Sequence, residues 1–376
     1  MLTLYRFDFM RIAILTIPLN ANYGGILQAY ALQTTLENLG GQDVVVLDNP
    51  YLLKMPPKIL TPFVYAARLI GRKLGAYSGN IKKEVAKNTY CANTYHFVHE
   101  NIHEYFINGL KDIPKGRFDA VVVGSDQIWR PYFFHLYFGE MPDAFLRFTE
   151  SWNIKRIAYA PSFGVEKWEF SDAETEESKK YIKLMDAVSC REQEGVEMCR
   201  RYLDCDTVKH VLDPTMLLAK EDYRKFVHVN EGKTGKLLVY VMDRDDDKQT
   251  VVDAIAREHS LTPCSIYQAG VASPPSVEYW LQQFEDAECV VTDSFHACVF
   301  SIIFGKEFVA YANQNRGLSR FTSLLKMFGL EDRLVLNSSE YNQSKITSSI
   351  ADARKKLEVL RLESKEWLRE ALGSGK

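Results

Sequence analysis

The sequence predicts an α/β protein with two domains, and three observations support this prediction. The chain has 376 residues, more than a single hydrophobic core usually organises. Short apolar runs of strand length alternate with segments of helical apolar spacing in both halves of the chain, which is typical of parallel sheets covered by helices. The stretch 230–235 (Asn-Glu-Gly-Lys-Thr-Gly) between the two series has the composition of a linker.

These observations give a division of the chain. We predict an N-terminal domain over residues 1–228, with a helical insert at 54–110, and a C-terminal domain over residues 229–345. Residues 346–376 contain a long charged helical pattern, which we expect to pack back across the body. Residues 1–9 precede the first strand and are interpreted as a start-site extension.

Composition excludes some classes of function. The chain is 46% hydrophobic and 25% charged, as expected of a globular protein, and its net charge of −3 gives no reason to expect nucleic acid as a partner. Seven cysteines without a CxxC pair indicate reduced thiols and a cytoplasmic location. No signal-peptide pattern and no apolar run of about 18 residues is present.

The first βαβ-like unit contains a polar, glycine-containing loop. The loop does not match G-x-G-x-x-G, so dinucleotide binding is not supported. Its backbone and side chains either contact a ligand or form a tight turn, and both interpretations stay open. Strand, loop, helix and second strand are predicted at 11–17, 18–25, 26–39 and 44–47. The candidate contacts are Asn20, Asn22, Tyr23, Gly24 and Gly25.

Two further polar strings follow predicted strands of the N-terminal domain. Gly124-Ser125-Asp126-Gln127-Ile128-Trp129 follows the strand 120–123, and its Ser and Asp either cap a helix or reach a ligand. Arg191 follows the strand 187–188. An arginine at this position either binds a carboxylate or phosphate, or pairs with Glu192 on the surface.

The stretch 289–301 is the most informative of the C-terminal domain. A short apolar strand ends at Thr292-Asp293-Ser294, and a helical run then continues to Phe304-Gly305. His296 falls in the first turn of this helix, where unpaired N–H groups and the helix dipole favour an anion. Beside a bound anion, a histidine with a pKa near neutrality can donate a proton. The alternative is a capped helix with a packed histidine.

Three other patterns have functional and structural interpretations. The basic, partly apolar segment 54–87 is either a helix at an anionic membrane surface or a solvated helix packed on its own domain. His96, His99 and His103 share a predicted helix face, but without HExxH or obvious carboxylate partners we expect no metal site there. The acidic string 243–247 (DRDDD) directly precedes a helical pattern, so N-cap chemistry explains it better than Mg²⁺.

Several strings, taken together and in order, resemble the polysaccharide pyruvyl transferase family. They span most of the chain except 50–110 and the C-terminal tail. The strings are NYGGILQAYALQ (22–33), FDAVVVGSDQIW (118–129), SCREQEG (189–195), VLDPT (211–215), VVTDSFHACVFSIIFGKEFV (290–309) and SRFTSLLKMFGLEDR (319–333). The resemblance implies two Rossmann-like domains facing across a cleft, as in GT-B glycosyltransferases. It also implies pyruvyl transfer from phosphoenolpyruvate to a sugar hydroxyl pair, which makes a ketal for a surface polysaccharide such as a capsule or exopolysaccharide.

The resemblance also implies roles for the residues in these strings. His296 would be the acid that protonates phosphoenolpyruvate, and Arg191 would bind the donor bidentately. Asp126 would be a base or hydroxyl-orienting group. The expected donor-binding residues are Arg191, Asp293, Ser294, Phe295, His296, Arg316 and Arg320. The expected acceptor-binding residues are Asn20, Asn22, Tyr23, Gly24, Gly25, Ser125, Asp126 and Trp129.

Two other functions compete with this interpretation. A GT-B glycosyltransferase using a nucleotide sugar shares the fold, and a non-catalytic sugar-binding homologue shares the scaffold. The expected partners are phosphoenolpyruvate and a sugar or lipid-linked oligosaccharide, with no metal and no cofactor besides the donor. Segment 54–87 would bring the cleft to the inner face of the cytoplasmic membrane.

Overall fold

The N-terminal half of the chain forms a parallel sheet. The structure is a computed structural model that describes residues 10–48, 81–124, 126–229, 232, 234–266, 273–312 and 317–373, with backbone alone for 81–90. Its strands are β1 Met10–Leu15, β2 Gly41–Asp48, β3 Glu104–Phe106, β4 Ala120–Gly124, β5 Lys155–Tyr159, β6 Ala187–Cys190 and β7 Lys209–His210. Among the described residues these seven strands are all parallel, in the order β3-β2-β1-β4-β5-β6-β7.

A second parallel sheet follows in the C-terminal half. Its strands are β8 Lys236–Tyr240, β9 Thr262–Ser265, β10 Cys289–Thr292, β11 Glu307–Tyr311 and β12 Leu334–Val335. Within the described ranges these five strands lie in the order β12-β11-β10-β8-β9. Two parallel sheets with crossover helices confirm the predicted α/β class, with two Rossmann-like domains.

Helices connect the strands and cover both sheets. The α-helices are α1 Tyr23–Asn38, α2 Ile81–Asn101, α3 Pro131–Tyr137, α4 Asp172–Ile182, α5 Gln193–Leu203, α6 Lys220–Arg224, α7 Asp246–Glu258, α8 Val277–Asp286, α9 Phe295–Phe304, α10 Leu318–Phe328 and α11 Ile350–Gly373. Short 3-10 helices lie at Leu110–Asp112, Met141–Phe145, Arg147–Thr149, Pro214–Leu217, Glu331–Arg333, Ser338–Glu340 and Gln343–Lys345.

Each sheet has one point where the strand order reverses, and the two points face each other. In the first sheet the reversal lies between β1 and β4, and in the second it lies between β8 and β10. Ligands of open parallel sheets bind outside the carboxyl ends of the strands at such points. The loops after these four strands therefore mark the place where a functional site is expected.

Helix α9 is the most deeply buried helix of this region. All of its residues are buried, which explains why its sequence is apolar on every face. It ends at Gly305, whose φ of +70° is the left-handed conformation common at helix C-termini. Apolar residues of α9 and α1 belong to one continuous core, so the two domains share buried surface.

The C-terminal helix α11 packs back across the body, as predicted. The guanidinium of Arg361 donates a hydrogen bond from Nε to the carbonyl of Met216 at 2.8 Å. The Ser364 hydroxyl accepts one from the backbone N–H of Leu212 at 3.2 Å. Both partners follow β7, so the end of the chain is attached to the N-terminal half.

Replacing Phe300 with alanine is expected to destabilise the fold strongly. Its ring is fully buried in α9 and packs against Tyr223, Trp280 and Phe284 at centroid distances of 5.0, 4.9 and 6.0 Å. Loss of this volume should lower the free energy of unfolding by about 3–5 kcal/mol, measured by urea denaturation. Val359→Ala in α11, where the residue is 56% exposed, should change it by less than about 0.5 kcal/mol. Equal effects of the two substitutions would contradict this account of the core.

The three histidines that were predicted to share a helix face have separate partners in the structure. His96, His99 and His103 each lie beside a different carboxylate, of Glu100, Glu104 and Glu37, at 3.1, 2.6 and 3.2 Å. His103 follows the end of α2 at Asn101, so the three do not share one helix face, contrary to the prediction.

The acidic string 243–247 has the predicted capping role. The side chain of Asp245 accepts a hydrogen bond from the backbone N–H of Lys248 at 2.8 Å, which confirms N-capping of α7.

Residues 54–80 of the basic segment lie outside the described part of the chain. Within the described part, no helix combines the length and apolar character needed to cross a membrane.

Candidate active site

A pocket of about 410 Å³ lies between the two strand-order reversal points. Residues of both domains line it: Asn22, Tyr23, Gly24, Asp126, Gln127, Arg130, Phe133 and Val165 from the first, and Tyr240, Met242, Trp280, Asp293, Ser294, Phe295, His296, Arg320 and Phe321 from the second. A smaller pocket of about 190 Å³ adjoins it on the N-terminal side. The two pockets share Asn22, Asp126, Gln127 and Phe133, so a ligand that fills both would contact Asp126 from either side.

The N-termini of α1 and α9 both open onto the larger pocket. Within the described residues, neither N-cap residue, Asn22 or Ser294, uses its side chain to cap its helix. The Asn22 amide instead donates to Asp126 Oδ2 at 2.7 Å. Backbone N–H groups of the first turn carry the positive end of the helix dipole, so two uncapped helix ends create a favourable position for an anion.

His296 lies between these two helix ends. Only 11% of its side chain is exposed, and its Nε2 atom is buried without a hydrogen-bond partner among the described residues. Its ring packs directly against Gly24 of α1, where a Cβ atom would come within 3.0 Å of Nδ1, Cε1 and Cγ. Helix α1 begins three residues earlier than predicted, which places this glycine in its first turn.

The environment of His296 strongly favours the neutral ring. Burial, together with the charges of Arg191 and Arg320, outweighs the opposing influence of Asp213 and Asp126 and lowers the pKa of His296 to about 4. The expectation of a pKa near neutrality concerned a histidine beside a bound anion, and it stays a prediction for that case. A proton on this ring requires additional negative charge in the pocket.

Arg191 is buried and already has two acidic partners. Its Nε donates to Glu192 Oε1 at 2.7 Å and its Nη1 to Asp213 Oδ2 at 3.0 Å. Nη2 is buried without a hydrogen-bond partner among the described residues and lies 3.9 Å from Asp126 Oδ1. The guanidinium also lies over the ring of Phe295, 4.6 Å from its centroid.

These contacts revise the surface-pairing interpretation of Arg191, and donor binding stays a prediction. Pairing with Glu192 is observed, but in the interior rather than on the surface. Two of the five guanidinium N–H groups donate to Glu192 and Asp213, so Arg191 would bind a donor with its remaining N–H groups, chiefly those of Nη2. Burial lowers the pKa of Arg191, but Glu192, Asp213 and Asp126 outweigh it and raise the pKa above its ordinary value.

Asp213 is a central residue of the site that the sequence-based assignment did not include. Its Oδ1 accepts hydrogen bonds from the backbone N–H and the hydroxyl of Thr215, at 3.0 and 2.6 Å. Its Oδ2 accepts from Gln28 Nε2 at 2.6 Å as well as from Arg191. Burial raises the pKa of Asp213, but Arg191, His296 and Thr215 together lower it below its ordinary value. The string VLDPT contained the signal for this residue.

Asp126 occupies an unusual backbone conformation at the end of β4. Its φ is +46°, in the left-handed region that non-glycine residues rarely adopt. Such conformations cost free energy and persist where the surrounding structure holds them, often at functional sites. The residue lines both pockets. Ser125, predicted beside it, lies outside the described residues.

The remaining predicted donor residues differ in their surroundings. Asp293 accepts hydrogen bonds from the backbone N–H groups of Met242 and Asp243 at 2.8 and 3.1 Å, and from Lys248 Nζ at 3.3 Å. Its carboxylate therefore holds the loop after β8 in place. Ser294, Phe295 and Arg320 line the pocket, whereas Arg316 lies outside the described residues.

Three of the described residues predicted to bind the acceptor do not line the larger pocket. Trp129 is fully buried in the core of the first domain, where its indole N–H donates to the Ala144 carbonyl at 3.1 Å. Its predicted role as an acceptor-binding residue is therefore wrong. Asn20 lines only the smaller pocket, together with Gly25. Tyr23 lines the larger pocket, and its hydroxyl donates across the domain border to the Pro275 carbonyl at 2.8 Å.

Comparison with solved structures shows the fold. A glycosyltransferase from Rickettsia africae ESF-5 superposes with a TM-score of 0.50 and 9% identity, covering 98% of this chain and 100% of that one. UDP-GlcNAc 2-epimerase from Neisseria meningitidis gives a TM-score of 0.46 and 6% identity, over 97% and 94% of the two chains. The UDP-GlcNAc 2-epimerase of Methanocaldococcus jannaschii gives 0.44 and 12%, over 92% of each. The first similarity supports the GT-B-like arrangement of two Rossmann-like domains facing across a cleft.

Sequence comparison identifies the family. No curated protein gives a significant match to this chain. The sequence model of the polysaccharide pyruvyl transferase family matches residues 22–315, which include the loops that build the pocket. This chain therefore belongs to the polysaccharide pyruvyl transferase family.

Proposed function

We propose that this protein transfers the pyruvyl group of phosphoenolpyruvate to two hydroxyls of a sugar, making a pyruvate ketal for a surface polysaccharide. One observation carries the proposal: the imidazole of His296 lies in a pocket where two uncapped helix N-termini meet. This arrangement suits a small, multiply charged anion that must receive a proton. Phosphoenolpyruvate is such an anion, and family membership favours it.

The donor is expected to bind against the ends of α1 and α9. Its carboxylate and phosphate would accept hydrogen bonds from first-turn backbone N–H groups. Arg320 lines the same pocket, and Nη2 of Arg191 lies just behind it, so both add positive potential. The donor would thus contact both domains, because Gly24 of α1 lies against the same histidine that α9 presents.

Proton transfer begins the proposed reaction. The protonated ring of His296 gives its proton to the methylene carbon of phosphoenolpyruvate, and that carbon becomes a methyl group. The neighbouring carbon, C2, becomes electrophilic and forms a bond with the oxygen of one sugar hydroxyl. The bond between C2 and the phosphate oxygen then breaks, and the second hydroxyl oxygen takes its place. Of the two hydroxyl protons, one restores His296 and the other leaves with inorganic phosphate.

Asp126 is proposed to orient the acceptor and to pass on the hydroxyl proton that leaves with inorganic phosphate. Its carboxylate lies at the boundary between the larger and the smaller pocket, held by the Asn22 amide. A sugar in the smaller pocket would present its hydroxyls toward the donor across this carboxylate. Asn20 and Gly25 line the smaller pocket and remain proposed acceptor contacts.

Donor binding is expected to take up a proton. At a pH well above its pKa of about 4 the ring of His296 is neutral in the free protein, and the bound anion should raise this pKa. Between these two pKa values the complex holds one proton more than the free protein, so affinity falls as pH rises, by up to about tenfold per pH unit. Calorimetry of phosphoenolpyruvate binding in buffers with different heats of ionisation measures this uptake. It should disappear in His296→Gln; equal uptake in that variant would assign the proton to the phosphate group instead.

The reaction itself is tested by phosphate release from phosphoenolpyruvate with a panel of galactosyl, mannosyl and glucosyl acceptors. We expect release that depends on acceptor, together with a product whose mass matches the ketal. Absence of release with every acceptor, and binding of a nucleotide sugar instead of phosphoenolpyruvate in calorimetry, would favour the alternative of a nucleotide-sugar glycosyltransferase. Binding of sugars without either reaction would favour the non-catalytic alternative.

The acceptor is proposed to be lipid-linked and held at the cytoplasmic face of the membrane. The basic composition of segment 54–87 supports this proposal, since Lys and Arg are attracted to anionic lipids. Replacing its lysines and arginines with glutamine should reduce sedimentation with anionic vesicles. Unchanged sedimentation would contradict membrane contact through this segment, while pyruvyl transfer to a soluble acceptor could still proceed.

A further inference from the structure

The carboxylate of Asp213 is held in one orientation by contacts from three parts of the chain. Thr215, two residues away, occupies Oδ1 with its backbone N–H and its hydroxyl. Gln28 of α1 and Arg191 after β6 both donate to Oδ2. Asp213 itself is 97% buried, so water does not compete for these contacts. Its Oδ2 atom therefore has a defined position relative to neighbouring residues.

That oxygen atom faces one nitrogen atom of His296. The distance from Asp213 Oδ2 to His296 Nε2 is 3.9 Å, about 1 Å longer than a hydrogen bond. Nε2 is buried and has no hydrogen-bond partner among the described residues. Nδ1 lies on the other side, beside Gly24, which lines the pocket. Catalytic hydrogen bonds are often long before substrate binds and shorten in the complex.

The other charged groups around the ring do not provide the same contact. Asp126 after β4 is the other carboxylate that favours the protonated ring, and its influence is smaller than that of Asp213. Arg191 after β6 and Arg320 in α10 both disfavour it. Among the described carboxylates, Asp213 alone has an oxygen within 4.0 Å of a ring nitrogen of His296. Its short lateral contacts to Gln28 and Thr215 also resist movement away from the ring.

We propose that Asp213 is a positioning residue: its Oδ2 atom accepts the Nε2 proton of His296, which leaves Nδ1 to exchange a proton with the substrate. A carboxylate that binds one ring nitrogen fixes the orientation of the imidazole and stabilises its protonated form, while the other nitrogen does the proton transfer. The contact between Asp213 and His296 is inferred only from the distance between their atoms and from the unpaired Nε2 atom. The role of Nδ1 rests on the proposed function.

One oxygen atom of Asp213, Oδ2, is the acceptor for Arg191 and the proposed acceptor for His296. The same Oδ2 accepts from Arg191, so the arginine and the histidine share a fixed acceptor. Glu192 provides a matched comparison, because its Oε1 pairs with Arg191 at 2.7 Å. Asp213→Asn and Glu192→Gln each remove one negative charge from Arg191, but only the first removes the partner of His296.

The contact can be tested without substrate by nuclear magnetic resonance of protein labelled with ¹⁵N in its histidine rings. At neutral pH, with and without inorganic phosphate, we expect a low-field proton signal on Nε2 that is absent from His296→Gln. The signal should be lost in Asp213→Asn and retained in Glu192→Gln. In the wild type without phosphate, a ring that carries its proton on Nδ1 instead of Nε2 would overturn the proposal, and this outcome depends on no variant. An unchanged signal in Asp213→Asn would also overturn it.

Kinetics provide a second test that a merely structural role would not satisfy. Asp213→Asn should lower kcat at least tenfold and move the alkaline loss of kcat to lower pH. Glu192→Gln should instead raise KM for phosphoenolpyruvate and leave the pH profile in place. The same pH profile for both variants would overturn the positioning role. If the wild type shows the Nε2 signal but no pyruvyl transfer, the proposed function fails while the contact between Asp213 and His296 stands.

Discussion

His296→Gln should lower the rate of ketal formation by about 10²- to 10⁴-fold, because glutamine cannot supply the proton that the donor carbon requires. Glutamine is a polar side chain that can replace the imidazole beside Gly24 without a titratable group. Affinity for phosphoenolpyruvate should change less than the rate, since the two helix ends that bind the anion remain. Acceptor-dependent phosphate release and mass spectrometry of the product measure the effect.

A histidine elsewhere in the chain provides the control for this prediction. His96 has a side chain 71% exposed and is not among the residues that line either site pocket. His96→Gln should therefore retain the wild-type rate. Undiminished phosphate release in His296→Gln would reject the proton-donor role, although the reaction class would remain open.

Gly24→Ala is expected to reduce activity by about 100-fold while the fold persists. In an isolated helix, alanine would be more favourable than glycine by about 0.5–1 kcal/mol. Here the added Cβ atom would come within 3.0 Å of three atoms of the His296 ring, so the ring or the end of α1 must move. A displacement of about 1 Å at a reacting group can cost about 100-fold in rate.

Gly109→Ala is the matched control, because the nearest atom to its Cβ position lies 3.7 Å away and the residue does not line either site pocket. Activity of both variants, together with thermal unfolding, distinguishes a local displacement from loss of the fold. Full activity in Gly24→Ala would show that the contact between α1 and the His296 ring has no catalytic importance.

Much of the fold could be predicted from local sequence pattern. Strands such as Ala120–Gly124 and Cys289–Thr292 lie within about one residue of their predicted positions. A short apolar run between turn residues is typical of a strand that is buried on both faces of a parallel sheet. Helix α9 ends at Gly305 as predicted, since glycine adopts the required left-handed conformation at little cost. The start of α1 was predicted three residues too late, because the pair Gly24-Gly25 is as typical of a tight turn as of a first helical turn.

The candidate site was predicted in part. His296, Asp126 and Arg191 were selected from separate strings, and the structure brings all three to the strand-order reversal points. Asp213 was not predicted, because Pro214 directly after it is enough by itself to explain the end of a strand. Trp129 was assigned to the acceptor side because its string contains Asp126, yet its side chain points into the core.

The sequence by itself determined the series of strands and helices, the two-domain α/β class and the loops that would carry polar residues. These properties depend on periodicity and turn chemistry, which act between residues close in the chain. Only the tertiary structure decided which of those loops meet. Gln28 and Asp213 are separated by 185 positions, yet they form a buried hydrogen bond. The low pKa of His296 and the pairing of Arg191 also depend on burial and on charges from distant segments, and no local pattern contains that information.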